Sequence, residues 1–499
     1  MSTTRLALAA LLLAAALPAA TQELIIEHVT IVSPEREQPL RSQHVLIRDG
    51  RIAQVSASPI AGHAGAKRIR ATGEYLTPGI MDSHVHVGEV PGLPMGTTDP
   101  SLLRLREQFV KQEPRSYLYF GVTQVLDMLG RADQIAQFEA QPEHPDVFKC
   151  GAAIVLDGYP SLFAPKSVRY QLVPDYVYEP ANAREHPLPP GADEKDHTPE
   201  AVVARIAASG ARCVKTFIED GFGPRSDWPL MSRETLARLR AAATKHDLLL
   251  IAHANAIDMQ RIALEAGVDV LSHGLWNWNE LDQDEGIPEQ IAAHLREIQA
   301  KHIGYQPTLR VLAGTADLFR ADTLKDPNYT KVVPPALLAW YGTEAAQWYK
   351  NELRREYGDL PDDRIARAWL RTGERGMRAS RYLHGLGHPL LLGSDTPSAP
   401  TYGQQPGYDT YREMRLMAQS GIPLAHVLRA ATINNAKQFG LDQDYGTVSP
   451  GKVANLLLLR ANPLESLMAW EQIDKIILHG KVIERESLAA DKAAAAPQR

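Results

Sequence analysis

Cysteine is almost missing: the 499-residue chain has two, Cys150 and Cys213. Two thiols in a protein of this length exclude a disulfide-framed scaffold. Both lie in apolar, strand-like runs (VFKCGAAIVL and ARCVKTFI), where two buried small hydrophobes are expected in preference to a bridge. There is no Lys/Arg block, and the net charge is −6, so no nucleic-acid partner is expected. No Gly-rich phosphate loop follows the first strand of the middle region, which argues against an open doubly wound sheet. No Ser sits in a nucleophile elbow, so a serine hydrolase has no support. No internal repeat stands out either. The run Leu6 to Leu17 is apolar throughout but too short to span a bilayer comfortably, so stable membrane insertion is not expected.

That run does have a reading. It lies behind Arg5 and before Pro18-Ala19-Ala20, the charged start, apolar centre and small-residue exit of a secretory signal over residues 1–20. The mature chain is then expected to start near Thr21 and to work in the periplasm or outside the cell. Hydrophobic content of 44% and charged content of 22% describe an ordinary globular protein. The length points to one large domain plus a smaller one.

Both chain ends are β-rich. Near the start, ELIIEHVTIVS is followed by HVLIRDGRIAQV, two runs joined by Asp49-Gly50, a hairpin signal. Near the end, VANLLLL precedes IDKIILHGKVIE, folded back around His479-Gly480. Neither end has enough strands for a stable sheet. A composite β-sandwich domain of residues 23–73 plus 441–487 is the economical arrangement, with residues 74–440 inserted into it.

The inserted middle alternates apolar runs with amphipathic helices. Strands are expected to end near Val85, Leu126, Val155, Phe217, Ala252, Leu271, Pro307 and Leu392. Helices are expected over Thr198–Ser209, Ser232–His246, Asp258–Ala266 and Pro288–Lys301. Strands alternating with helices mean a parallel α/β fold, and eight such units mean a (β/α)8 TIM barrel. Glu89–Tyr119, Leu156–His197 and Leu309–Leu386 are too long to be simple connections. Each follows a strand end, where barrel active sites lie, so they are expected to form a lid.

Ligand-type side chains recur at those strand ends. LTPGIMDSHVHVGE opens the middle, and in an extended strand His84 and His86 share a face. His253 ends LLLIAH, His273 ends VDVLSH and Asp395 ends LLLGSD. One such residue is ordinary; the repetition is not what a packed core requires. Four histidines and a carboxylate suit Zn²⁺ or a similar first-row ion. Lys215 lies inside the apolar run CVKTF, where burial penalises its charge. A neutral lysine can take up CO2 as a carbamate whose oxygens bridge two cations; the plainer alternative is an ion pair with Glu219 or Asp220.

The order HxH, Lys, His, His, Asp around a barrel resembles the amidohydrolase superfamily. LTPGIMDSHVH, GVTQVLD, the Thr432–Ala436 stretch TINNA before Gly440-Leu441 and the tail YGTVSPGKVANLLLLRANPL carry the same resemblance. The VK-type strand, AHANAID and SHG look most like its imidazolonepropionase-like and Xaa-Pro dipeptidase-like branch. The resemblance implies two divalent metal ions, Zn²⁺ foremost. His84, His86 and Asp395 would hold the first, His253 and His273 the second, and carbamylated Lys215 would bridge them. Two departures stand out. Ala454-Asn455-Leu456 replaces an Ala-Asp-Leu common in relatives. Leu156-Asp157-Gly158-Tyr159-Pro160 stands where many branch members have Gly-Gly-His, so no family substrate carries over.

The expected chemistry is hydrolysis of an amide or cyclic amide C–N bond in a small molecule, with Asp395 as general acid/base. A lactone or phosphotriester hydrolase would use the same parts. An Xaa-Pro dipeptidase or carboxypeptidase would need a clamp for a free carboxylate, for which Arg310, Tyr159, Tyr170, Tyr176 and Tyr178 are candidates, Arg310 and Tyr159 foremost. Outside the enzymes, an exported binding protein with a degenerate metal site is the rival. A homo-oligomer is left open.

Overall fold

The computed structural model describes residues 23–222, 226–283 and 285–493. The expected signal segment lies outside them. The chain opens with β1 (Glu23–Ile31), β2 (Leu40–Arg48), β3 (Arg51–Ser56), β4 (Lys67–Arg70) and β5 (Tyr75–Pro78). Eight strands follow in the middle: β6 (Ile80–Val85), β7 (Val122–Asp127), β8 (Asp146–Val155), β9 (Tyr176–Val177), β10 (Cys213–Phe217), β11 (Leu249–His253), β12 (Val270–Leu271) and β13 (Gly304–Tyr305). The chain returns through β14 (Leu456–Leu459), β15 (Ile473–Leu478) and β16 (Lys481–Glu484).

The first and last groups form one sheet in the order β16-β15-β14-β5-β1-β2-β3, with β4 pairing β1. The join between the chain ends is antiparallel, Leu458 facing Leu76 and Leu456 facing Pro78. Its inner face buries Leu24, Ile26, Val29, Leu76, Leu456, Leu458 and Ile477. Alternate residues of β14 point the other way, and Leu457 and Leu459 pack into the larger core of the middle region. Asp146 adds a polar tie, accepting from Tyr445 Oη at 2.9 Å and Asn455 Nδ2 at 2.7 Å, with His479 Nε2 at 2.7 Å.

The middle strands form a parallel sheet in the order β13-β12-β11-β10-β8-β7-β6, with β9 alongside β8. Their runs are buried on both faces, as parallel strands covered by helices must be: every residue of β6, β7 and β10 is buried. The helices fall where the sequence places them, at Pro199–Ala208, Arg233–Lys245, Ile257–Glu265 and Glu289–Ala300. Capping explains the first two starts. The Thr198 and Ser232 hydroxyls accept from the amides of Ala201 and Thr235, satisfying donors that a helix N-terminus otherwise leaves free.

Two expectations need correction. The run ending at Leu392 is not a strand. It makes single parallel bridges, Leu390 to Tyr305 and, further on, Thr396 to Val85. Gly393-Ser394 and a left-handed Asp395, with φ 56°, break the extended conformation that a ladder needs. Cys150 and Cys213, expected to be separate buried hydrophobes, are disulfide-bonded. They are register partners on adjacent parallel strands β8 and β10, so their side chains meet face to face. Pairing distance along the sheet was not visible from a sequence separation of 63.

Candidate metal centre

β6 carries His84, with His86 just past its end, and the segment after Leu392 returns Asp395 between them. Asp395 Oδ1 lies 3.1 Å from His84 Nε2 and 2.8 Å from His86 Nε2. His273, just past β12, has Nδ1 3.8 Å from Asp395 Oδ2. His84, His273 and Asp395 can place one ligand atom each within 4.8 Å of one another, the spacing of a metal site. His253, at the end of β11, has its ring centroid 4.4 Å from that of His273. Lys215, in the middle of β10, is 1% exposed, and among the described residues its Nζ has no hydrogen-bond partner. The five residues expected at strand ends thus come together, with Lys215 from the middle of β10 near enough for its charge to act on them.

The protonation states of His84, His253 and His273 suit cation binding, whereas for His86 burial is outweighed by Asp395, whose hydrogen bond and charge raise it above the usual range. Burial pulls His84 down to about 4 against the attraction of Asp395. Burial, aided by neighbouring cationic groups, holds His253 and His273 well below the usual imidazole range. These rings are neutral, which is the ligating form. Burial alone would raise the Asp395 carboxyl, but His84, His86 and His273 hold it well below the ordinary range. Lys215 is lowered to about 7 by burial, with Asp395 opposing. Neither Glu219 nor Asp220 forms an ion pair with it, so the plainer alternative for this lysine is not realised. Glu219 is buried beside His253 instead, 3.3 Å from its Nε2, with Oε2 otherwise unpartnered. A buried lysine nitrogen and the Nδ1 of His86, both without a hydrogen-bond partner among the described residues, fit a site in which a cation supplies the missing partner once the lysine is uncharged.

Supporting residues that the sequence reading did not single out fix this geometry. Gln306 Nε2 donates to the Ser83 carbonyl and hydroxyl, both at 2.8 Å. Its Oε1 therefore faces His84 Nδ1, 3.2 Å away, and must accept from it. That bond places the proton on Nδ1 and leaves the Nε2 lone pair for a ligand. Thr308 Oγ1 holds His273 Nδ1 at 2.9 Å. Asp82 Oδ1 accepts from the amides of His84 at 3.2 Å and Ser394 at 3.0 Å, tying the two ligand-bearing segments together. Asn435, in the TINNA stretch, is fully buried and donates to the carbonyls of Met81 and Leu392, both at 2.8 Å. For Gln306 and Asp82 the hint in sequence was a polar residue ending an apolar run, as in HIGYQP and LTPGIMD, while Asn435 lies in the TINNA stretch that carries the resemblance.

The two foremost substrate candidates part company. Tyr159 belongs to the site, its ring centroid 4.7 Å from that of His253. Arg310 does not serve as a carboxylate clamp. Its guanidinium is committed to Asp409 at 2.9 Å, Asp317 at 3.0 Å and the Gly403 carbonyl at 2.9 Å. The Leu309–Leu386 stretch packs on the loop after β6, through Tyr341 Oη to Pro91 O at 2.8 Å and Trp348 Nε1 to Gly92 O at 2.9 Å. Those aromatics pack the covering stretch in place, as their helical spacing allows.

With the geometry described, comparisons with known proteins become informative. The sequence pattern of the amidohydrolase family matches residues 346–483. A Moorella thermoacetica adenine deaminase is 33% identical over 70 residues, 14% of this chain. The matched stretch spans only 11% of that protein's length. Among solved structures, a Xaa-Pro dipeptidase with methionine bound in its active site has a TM-score of 0.64 at 18% identity, covering 93% of this chain and 100% of that one. A. niger ochratoxinase has a TM-score of 0.63 at 19% identity, covering 93% and 96%. Molinate hydrolase has a TM-score of 0.65 at 18% identity, covering 96% and 98%. The resemblance read from the sequence is borne out: the chain carries the amidohydrolase family pattern over residues 346–483 and shares its fold with prolidase-like amidohydrolases over 93% of its length.

Proposed function

We propose that this protein is an exported, metal-dependent hydrolase of an amide or cyclic amide C–N bond in a small molecule. The observation that carries this reading is the buried group of His84, His273 and Asp395, with Lys215 unpaired beside it. His84, His86 and Asp395 would hold one divalent ion, Zn²⁺ foremost, and His253 and His273 a second, with carbamylated Lys215 between them. When bound, the ions supply an activated water and polarise the scissile carbonyl. Asp395 accepts the proton of the attacking water at a carboxylate oxygen and passes it to the leaving nitrogen. The packed Leu309–Leu386 stretch keeps bulk water out. Adenine deaminase, dipeptidase and ochratoxinase relatives favour C–N hydrolysis over lactone or phosphotriester chemistry. A Xaa-Pro dipeptidase is the second reading, favoured by the likeness to a solved structure of that name. With Arg310 committed elsewhere, Tyr159 is its foremost remaining candidate for the substrate carboxylate.

Three further points belong to the same reading. The bridges at Leu390 and Thr396 support closure of the parallel sheet into a (β/α)8 barrel over residues 74–440, with residues 23–73 and 441–487 as the composite β domain. The disulfide fits an oxidising compartment, in line with a signal segment over residues 1–20. No described helix is long and apolar enough to cross a membrane.

The test is a screen of N-acyl amino acids, dipeptides and cyclic amides with chelated and metal-reloaded protein. Activity should vanish on chelation and return with Zn²⁺ or a similar ion. Asp395→Asn should keep much of its metal and lose on the order of 10²–10⁴ in kcat. Full activity in metal-stripped protein, or near-normal kcat in metal-loaded Asp395→Asn, overturns the reading.

A further inference from the structure

Five aromatic side chains gather beside His253, from three places in the chain. Tyr159 and Phe163 follow β8, Phe217 ends β10, and Phe222 and Trp228 follow β10. The Tyr159 ring lies 4.7 Å and the Phe217 ring 5.6 Å from that of His253, so the wall begins at a candidate metal ligand. Tyr159 and Trp228 stack nearly parallel, 5.5 Å apart and 3° between planes. Phe222 stands edge-on to both, at 5.2 Å and 5.0 Å, and so does Phe163, at 5.9 Å and 5.6 Å.

Phe163 is 60% exposed and Phe222 44%, although ample core exists to bury such rings. Scattered exposed apolar residues mean little, but a contiguous set rimming a reactive pocket marks a binding surface. Among the described residues the buried Nε1 of Trp228 has no acceptor. A ligand with a flat apolar body and a nearby carbonyl or carboxylate oxygen would answer both features.

We infer that Tyr159, Phe163, Phe217, Phe222 and Trp228 form a specificity subsite for an aromatic group attached to the scissile amide. This rests on the amide-hydrolase reading above and names the substrate class for that site. Aromatic rings stack or meet edge to face here, and the exposed Phe163 and Phe222 lose water contact as the ligand enters. Burial of one such ring is expected to raise kcat/KM by roughly 10- to 100-fold over a methyl in its place.

Two substrate series test this, one varying the acyl side (N-acetylglycine against N-benzoylglycine) and one the amine side (N-acetylglycine against N-acetylphenylalanine). At least one aromatic member should be preferred by about tenfold or more. That preference should collapse in Phe163→Ala and Phe222→Ala, whose wild-type positions are exposed enough for truncation to leave thermal stability unchanged. Equal kcat/KM within both series, with hydrolysis intact, overturns the subsite and leaves the hydrolase reading standing. Binding separates the two ideas if no amide is cleaved. By calorimetry benzamide should bind more tightly than acetamide, and Phe222→Ala and Trp228→Ala should remove the difference. Benzamide binding no tighter than acetamide overturns the subsite whatever the activity screen returns.

Discussion

Gln306→Leu is the sharpest probe of how the candidate metal centre is held. The wild-type side chain is fully buried and makes three contacts: two donations to Ser83, at 2.8 Å each, and one acceptance from His84 Nδ1 at 3.2 Å. Leucine has a similar volume, so the cavity stays filled while all three bonds go. The Ser83 carbonyl and His84 Nδ1 are then buried without these partners, which costs about 1–3 kcal/mol of stability for each group left unsatisfied. His84 can also rotate, or move its proton to Nε2 and lose the lone pair that would face a cation. Loss of such a partner typically lowers metal affinity about 10- to 100-fold, or about 1.4–2.7 kcal/mol. Gln306→Glu keeps an acceptor for His84 Nδ1 and should retain more of the affinity than the leucine variant. Competition against a chromogenic chelator measures it, with thermal unfolding of the metal-free proteins as the stability control. Metal affinity in Gln306→Leu equal to wild type would refute the role assigned to Gln306.

Three other outcomes are expected. Lys215→Ala should lose at least one equivalent of metal and its activity by elemental analysis and assay, with partial rescue by short-chain carboxylic acids; unchanged metal and activity would make the lysine merely structural. His294 is lowered to about 4 by burial, so its contribution to stability is full above about pH 6.5 and fades as pH falls through 4. That is about 3 kcal/mol, which His294→Gln should remove from the pH dependence of the denaturant midpoint; identical acid slopes would refute it. The Cys150–Cys213 bond closes a separation of 63 residues and should contribute about 4 kcal/mol by constraining the unfolded chain. The Cys150→Ala/Cys213→Ala protein should unfold at lower denaturant, and two free thiols in the unreduced, denatured wild type would rule the bond out.

The sequence by itself determined a good deal, because some of its signals are local. Apolar runs of strand length, Ser and Thr caps and Gly-containing turns depend on residues a few positions apart, so β6 to β8, β10 to β12 and the four helices between residues 198 and 301 lie close to where the pattern puts them, whereas the short β9 falls inside a stretch read as a connection. The candidate ligand set was legible for a related reason. His84, His86, His253 and His273 end apolar runs that parallel strands carry to one edge of a sheet, and Asp395 ends a run that reaches the same place through single bridges rather than as a strand. Arg310 and Tyr159 were not distinguishable that way, because a polar side chain in a long connection has no fixed direction until its neighbours are packed. Only the tertiary structure tied Arg310 to Asp409 and Gly403, 99 and 93 residues further along the chain, as well as to the nearby Asp317. The same holds for the disulfide, where register across β8 and β10 brings Cys150 opposite Cys213. Gln306 and Asn435 show it most plainly: their amides bridge segments more than 200 and 300 residues away, to Ser83 and Met81, and such contacts exist only once the sheet has curved to bring β6, β13 and the Leu392 segment together.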